Sequence, residues 1–402
     1  MQFQWLDLTI PFVAAIIGYV TNVAAVRMMF YPLDFKGVPP FLGWQGIIPR
    51  NARTLARKST KLITDQLLNL KSLFASFDAN GFAGSHMSGV LDQLTDQVIA
   101  EIAEKRAGPQ WQNLPDPVKQ QVRAMIRVEV EKVVVDILAD MGDNIEEILD
   151  IEHIVVEAVT ADKALMGTMF QTVGHAEFSF IKISGLYFGF AFGLFQLLAW
   201  LLHPSWWSLP LAGFVVGYVT NWLALKLIFE PAQPRKVGPF VLHGLFHKRQ
   251  QQVAHAFAEK IAGDVVNVDN MLVHMTSGPG GEKLMAIIDR HIGAMVDRYK
   301  HNPMAAALVP ADQWDTIRAE LLARIRAELP AKGGFLHTFT SKSVDVYQEL
   351  FERMTVLDAE SFEGVLRPAF KQDEWKLIVV GAALGMAAGG VQVMYMLGDK
   401  VT

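Results

Sequence analysis

"PFVAAIIGYVTNVAAVRMMFYP" runs from Pro11 to Pro32, and "PLAGFVVGYVTNWLALKLIFEP" from Pro210 to Pro231. The two align without a gap. Their shared core, "GYVTN", stands at Gly18–Asn22 and again, letter for letter, at Gly217–Asn221. A Thr–Asn pair is unfavourable in an apolar run, so its recurrence needs a reason. Internal repetition constrains a fold more strongly than local signals do. The match continues: Pro40 and Phe41 face Pro239 and Phe240. After one deletion, Gly46 faces Gly244, Ala56 faces Ala254 and Asn69 faces Asn267.

Two further apolar runs match each other. "GLYFGFAFGLFQ" carries Gly185, Gly189, Gly193 and Gln196; "GAALGMAAGGVQ" carries Gly381, Gly385, Gly389 and Gln392. Both read GxxxGxxxGxxQ. Between the runs, "LDIE" (Leu149 to Glu152) resembles "LDAE" (Leu357 to Glu360). The unit is apolar run, long polar segment, apolar run, and it occurs twice.

Composition agrees. The chain has 402 residues, 51% of them hydrophobic, and a mean hydropathy of +0.24. That balance predicts a few membrane helices plus sizeable aqueous parts. A net charge of −5 gives no bulk attraction for nucleic acid. The lack of cysteine excludes disulfides, thiolate nucleophiles and Cys-based metal sites. The leading "MQFQWLD" lacks the basic region of a signal peptide, so the first apolar run is expected to stay as an anchor.

A transmembrane helix needs about 20 mostly apolar residues. Charge-free stretches lie at Leu8–Val26, Ile183–Leu225 and Leu377–Gly398. The middle one is too long for one span and contains "HPSWWSLP". There Pro204 and Pro210 break the helix, and Trp206 and Trp207 anchor it at the interface. Four spans follow, roughly 8–30, 183–203, 209–229 and 377–397. Basic residues set the orientation. Arg27, Lys36, Arg50, Arg53, Arg57, Lys58 and Lys61 follow the first span, opposed only by Asp34; Lys226, Arg235, Lys236, Lys248 and Arg249 follow the third. The Trp-rich turn has none. Positive-inside then predicts both large loops in the cytoplasm and both termini outside.

The expected fold is an all-α integral membrane protein. Its four transmembrane helices form two parallel tandem repeats, each a span, a cytoplasmic helical domain and a span. The expected segments are 1–32 (first span and flanks), 33–182 (helical domain), 183–231 (transmembrane hairpin), 232–376 (helical domain) and 377–402 (last span and tail). An even number of spans per unit gives both copies one orientation, with a pseudo-twofold axis along the membrane normal.

On a helix, Ala14, Gly18 and Asn22 share one face, as do Gly213, Gly217 and Asn221. Small residues at this spacing permit close helix approach, and a nearby amide bonds across. Gly185, Gly189 and Gly193 are the natural partners in one copy, and Gly381, Gly385 and Gly389 in the other. Tyr19, Thr21, Asn22 and Gln196, with Tyr218, Thr220, Asn221 and Gln392, form a candidate intramembrane polar set. It serves either as packing glue or as a site for an ion, water or lipid headgroup. The amides are expected to face the bundle, because an unpaired amide in hydrocarbon costs several kcal/mol. No acid falls inside a span, which removes the usual carboxylate relay. Arg27 and Lys226 mark one membrane boundary, where snorkelling suffices to explain them. Glu177 and Asp373 align as acids before the second and fourth spans, positioned to pair with Arg27 or Lys226.

The loops read as helical, with apolar stripes at Val118, Val122, Met125, Ile126, Val133 and Ile137, at Met87, Leu91, Leu94, Val98 and Ile102, and at Leu284, Ile287, Ile288, Met295 and Tyr299. Helix packing and an acyl-sheltering groove produce the same stripe. Pro109, Pro115, Pro117, Pro303 and Pro310 punctuate the loops, and no segment alternates as a strand. Phosphate-loop, GxSxG and HExxH motifs are absent. His243 and His247 have metal-ligand spacing, with His255 beyond, but align with Gln45, Pro49 and Arg57, so no metal is expected. Asp150, Glu152, Asp358 and Glu360 read as helix N-terminal acids. No cofactor is expected.

"IGYVTNVAAVRMMFYP" with "GIIPRNARTLA" resembles the signature of the DUF445 family of bacterial membrane proteins. "AEFSFIKISGLYFGFAFGLFQ" and "FKQDEWKLIVVGAALGMAAGGVQ" resemble that family's other signatures. The resemblance implies a bacterial inner membrane location and a helical soluble part, and it implies no activity. The second copy departs from the pattern, with "FHK" at Phe246–Lys248 in place of "IPR". The leading expectation is a non-enzymatic membrane scaffold or envelope-maintenance protein. Its partners would be membrane lipids and a second copy or another protein, with no nucleic acid. The alternative is a transporter, channel or lipid carrier with a polar site on the pseudo-twofold axis. A membrane enzyme ranks last, for want of nucleophile and metal motifs.

Overall fold

The computed structural model describes residues 5–38, 42–62, 64, 67–68, 70–71, 87–202, 205–302, 305, 309–343, 345–367 and 374–398. Pro40, Phe41, Asn69, Pro204, Pro303 and Asp373, singled out above, lie outside the described residues.

The first span is α1 (Ile10–Phe30), followed by a hairpin of β1 (Lys36–Val38) and β2 (Leu42–Trp44) and by α2 (Ile47–Leu62). Helices α3 (Ser88–Ile99), α4 (Asp116–Asp143), α5 (Ile151–Ala161) and α6 (Leu165–Val173) lead to the spans α7 (His175–Leu202) and α8 (Ser208–Phe229). A second hairpin, β3 (Arg235–Val237) and β4 (Phe240–Leu242), precedes α9 (Leu245–Lys248), α10 (Gln250–Lys260), α11 (Val268–Thr276) and α12 (Gly278–Lys300). The chain ends through α13 (Trp314–Glu328), α14 (Phe335–Ser343), α15 (Val346–Val356), α16 (Ala359–Leu366) and the last span, α17 (Glu374–Gly398).

Helix makes up 83% of the structure, and four helices are long and apolar enough to cross a membrane. Two details depart from the sequence expectation. First, α7 starts at His175, eight residues before position 183. Lys182 and Glu177 end the apolar run but carry no helix-breaking chemistry, so the helix runs through them. Second, each long loop opens with a hairpin. The pairs run antiparallel, Lys36 opposite Trp44 and Arg235 opposite Leu242. Three-residue strands are too short to show a period of two. Gly238 has φ +60 in the two-residue turn of the second hairpin, the glycine-favouring position of a primed turn.

Prolines sit where a helix tolerates them. Pro11 in α1 and Pro210 in α8 fall in the first turn, where the backbone N–H has no intrahelical acceptor. Pro210 therefore starts α8 instead of breaking it.

Contacts divide the chain into two compact units. The first comprises Met1–Leu67, Val155–Lys260 and Tyr347–Thr402, and so holds all four spans. Within it α1 packs most extensively on α7, and α8 on α17. The loop after each of α1 and α8 folds back on the span it leaves. Gly46 N donates to Pro32 O at 2.9 Å, and Gly244 N donates to Pro231 O at 2.9 Å. A Cβ on Gly46 or Gly244 would press on backbone atoms at the end of its own span.

The second unit comprises Leu68–Ile154 and Ile261–Val346, thus drawing on both long loops. Here α4 packs on α3 and α12, and α12 packs on α11 and α13. Ion pairs lace these helices: Arg127 with Asp92 (2.8 Å) and Glu131 (3.0 Å), Arg290 with Asp140, and Arg298 with Glu129. Val130, Val133, Val134, Ile137, Leu138 and Met141 bury the C-terminal half of α4. Its N-terminal half leaves Val118 and Met125 exposed, while Val122 and Ile126 pack half-buried against Ile99, Ala103 and Trp111, so the stripe read from Val118 to Ile137 holds in part. Between α3, α4, α12 and α13 lies an apolar cavity of about 250 Å³, lined by Leu94, Val98, Val134, Ile292 and Leu321, with Arg324 and Glu328 at its polar side.

Candidate functional site

The polar residues of the spans are positioned by glycine. A Cβ built on Gly18 would collide with the Gly185 carbonyl oxygen, and one on Gly217 with that of Gly381. The same relation joins Gly189 to Ala14 and Gly385 to Gly213. At the next turn Gly193 meets Pro11, and Gly389 meets Leu209. Any side chain at these points would force the helices apart, because the obstacle is backbone.

That proximity brings each Asn to a carbonyl on its neighbour. Asn22 Nδ2 donates to Ile181 O at 2.6 Å; Asn221 Nδ2 donates to Leu377 O at 3.2 Å. Both Asn side chains are buried. Thr21 Oγ1 donates to Gly18 O at 3.1 Å, a helix-local bond. Its counterpart Thr220 Oγ1 is buried with no partner among the described residues, as is Asn22 Oδ1. Tyr19 and Tyr218 do not join the set; both lie on the exposed face of their helices. Gln196 and Gln392 are buried, as expected of bundle-facing amides. Neither Nε2 nor Oε1 of Gln392, both buried, has a partner among the described residues.

The outward faces carry the opposite chemistry. Phe12, Ile16, Val20, Tyr187, Phe195, Leu198, Leu211, Val215, Val379, Met386 and Val391 are all exposed. Large apolar side chains outside and Gly, Ala, Thr and Asn inside is the pattern of helices solvated by hydrocarbon.

At the end of the spans near Arg27 and Lys226 lies a charged layer, and here the sequence expectation needs correcting. Glu177 does not pair with Arg27 or Lys226. Its Oε1 accepts from Arg249 Nη1 at 2.7 Å, and Arg249 Nε donates to Gln252 Oε1 at 2.7 Å. Lys226 instead lies 3.6 Å from Glu230 and 5.0 Å over the Trp222 ring; Arg27 is exposed. Glu177 is buried, and its Oε2 has no partner among the described residues; it borders a small apolar cavity lined by Phe178, Ile181, Phe229 and Phe246. No spacing rule links Glu177 to Arg249, since Arg249 aligns with Asn51 in the first copy.

His247, on α9, is buried between the same elements. Its Nε2 lies 3.2 Å from both Phe229 O and Glu363 Oε2. Both neighbours accept, so Nε2 carries the hydrogen and Nδ1 is left with a lone pair. Nδ1 is buried and has no partner among the described residues. Glu363 is held in turn by Arg367, whose guanidinium stands 5.3 Å over the Phe229 ring. Burial lowers the His247 pKa; the bond to Phe229 opposes this, and the charges of His243 and Arg367 add to it. The unfolded histidine titrates near ~6.5, so below that pH the unfolded state binds more protons than the folded one. Stability is full above the unfolded value and declines as pH falls through it. The thermal midpoint is expected to drop between about pH 7 and pH 5, and His247→Gln, which retains a donor, to flatten that slope. An unchanged slope in the variant would assign the acid sensitivity to another group.

Two of the four recurring acids, Asp150 and Asp358, cap helices, and Glu152 and Glu360 lie in the first turns that follow. Asp358 Oδ1 accepts from the backbone N–H groups of Glu360 and Ser361 (3.0 Å each), and Asp150 Oδ1 accepts from His153 N (2.9 Å). The bonds from Ser361 hold the Asp358 pKa down. Asp150, Glu152, Asp358 and Glu360 are all exposed.

These features define an integral membrane protein with four helices apt to span the bilayer and a helical extramembrane part. Residues 12–147 match the family model for DUF445, a protein family of unknown function. The chain is 29% identical to a UPF0754 membrane protein of Shouchella clausii over 106 residues, 25% of this chain and 27% of that one. It is 36% identical to a UPF0754 membrane protein of Thermosynechococcus vestitus over 74 residues, 17% of this chain and 18% of that one. The matches thus span about a quarter or less of each relative's length. No solved structure matches the chain. The family match covers the first copy of "GYVTN"; the second rests on the internal alignment.

Proposed function

We propose that this chain is a non-enzymatic membrane scaffold, with a role in envelope maintenance, in the bacterial inner membrane. Two parallel repeats of span, helical loop and span anchor it, related by a pseudo-twofold axis along the membrane normal. Both long loops lie in the cytoplasm and both termini outside.

One observation carries the reading: the polar residues of the spans serve packing inside each helix pair. Asn22 binds a carbonyl of α7 and Asn221 the equivalent carbonyl of α17. The glycine contacts recur at the same register, Gly18 with Gly185 and Gly217 with Gly381. A path for solute would instead direct such amides toward a shared axis. The exposed cations of α2, Arg50, Arg53, Arg57, Lys58 and Lys61, support the cytoplasmic orientation; the helix contains no acid. The exposed recurring acids favour a structural role over catalysis. Membrane lipids and a second copy or another protein are the partners this role requires. Its test is the side of the membrane from which each loop is reached by an impermeant thiol reagent.

A further inference from the structure

Gln392 is a span amide whose surroundings do not explain it. It is 7% exposed, and both ends of its side-chain amide lack a partner among the described residues. A buried amide with no partner in an apolar medium is strongly disfavoured, so a native structure that keeps one calls for an occupant beside it. Space for that occupant is present. Gln392 lines an open cavity of about 550 Å³ between α1 and α17, together with Val13, Ile17, Ala388, Val391 and Tyr395.

The two copies differ in sequence at this cleft. In the register that aligns Gln196 with Gln392, Ala388 corresponds to Phe192 and Tyr395 to Ala199. The α7 copy carries a phenyl ring where α17 carries a methyl group. The position in the bilayer is also informative. Gln392 lies ~27 Å along α17 from Glu374, at 1.5 Å per residue, close to the ~30 Å depth of a hydrocarbon core. It therefore sits at the level of lipid esters, at the end of the spans opposite Arg27 and Lys226.

We infer that the cleft between α1 and α17 binds one glycerophospholipid whose headgroup carries a hydrogen-bond donor. An ester carbonyl accepts from Gln392 Nε2, and a headgroup ammonium or hydroxyl donates to Oε1. Val13, Ile17 and Val391 receive the acyl chain, and Tyr395 borders the headgroup region, where tyrosine is favoured. A choline headgroup has no donor and satisfies only half of the amide. The site is independent of the scaffold reading, because it concerns one cleft and not the orientation of the loops.

The test is native mass spectrometry of the full chain, released from nanodiscs of equal phosphatidylethanolamine and phosphatidylcholine. The wild type is expected to retain one phosphatidylethanolamine per chain in preference to phosphatidylcholine. Gln392→Leu and Ala388→Phe are each expected to cut that occupancy roughly ten-fold, the scale of one membrane hydrogen bond of ~1–2 kcal/mol. Gln196→Leu is expected to leave it unchanged. Gln392→Leu removes an unpaired amide and is expected to keep or raise the thermal midpoint, so loss of lipid is separable from loss of fold. If Ala388→Phe does not fold, Gln392→Leu alone decides. Retention without headgroup preference in the wild type, or undiminished retention in Gln392→Leu, would overturn the assignment.

Discussion

Gly217→Leu, and its counterpart Gly18→Leu, are expected to abolish accumulation of folded protein. A Cβ at either position falls on the carbonyl oxygen of the facing glycine, and a leucine adds three more carbons in the same direction. Backbone meets backbone here, so no rotamer change relieves the overlap and the helices must separate. Separation also breaks the Asn221–Leu377 or Asn22–Ile181 bond one turn away. Overpacking alone costs about 1–3 kcal/mol; with the lost bond and the opened interface the total exceeds ~4 kcal/mol, against a usual net stability of ~5–15 kcal/mol. Gly390→Leu supplies the control. It lies on α17, the span that packs on α8, and a Cβ there meets nothing within 4 Å. Size-exclusion yield in detergent is the readout: near zero for Gly217→Leu, near wild type for Gly390→Leu. Equal yields would mean that the glycine contacts do not hold the spans.

Arg249→Ala is expected to give the next largest loss. It leaves the Glu177 carboxylate, 7% exposed, without a cation in an apolar setting. Removing one partner of a buried pair costs about 3–5 kcal/mol; the 30% exposure of the Arg249 side chain puts this case nearer 2–3. For a unit of this size that lowers the thermal midpoint by roughly 5–10 °C. Lysine is expected to rescue only part. Arg249 uses Nε on Gln252 and Nη1 on Glu177, a fork that a single ammonium does not reproduce. The double variant Arg249→Ala Glu177→Gln should recover most of the loss, since it removes the stranded charge. A double variant no better than Arg249→Ala would show that packing, not charge, makes the contribution.

Much of the membrane part was legible from the sequence. Apolar length marks a span, and glycines four apart mark a face of close approach; both are local patterns. The pairing of α1 with α7 and α8 with α17 follows from them. The partner of Glu177 was not legible, because Arg249 approaches it through the fold and not through spacing. Nor was the layout of α4. Val118 and Met125 continue the same periodic stripe as Val133 and Ile137 but stay exposed, while Val122 and Ile126 beside them pack on Ile99, Ala103 and Trp111. Periodicity assigns a face without saying where along it the neighbour ends. Gln392 was expected to face the bundle and is buried; that it lacks a partner among the described residues depends on the fold and not on spacing.

The central claim is that two parallel repeats hold both long loops on one side of the membrane. Because the chain has no cysteine, single substitutions report cleanly. Val128→Cys, Val273→Cys and Trp206→Cys place exposed thiols in the first loop, the second loop and the turn between α7 and α8. Labelling with a membrane-impermeant maleimide in right-side-out and inverted vesicles should modify Val128→Cys and Val273→Cys only in inverted vesicles. Trp206→Cys should react only in right-side-out ones. Labelling of the two loops from opposite sides would contradict the parallel repeat, and with it the scaffold built on that arrangement.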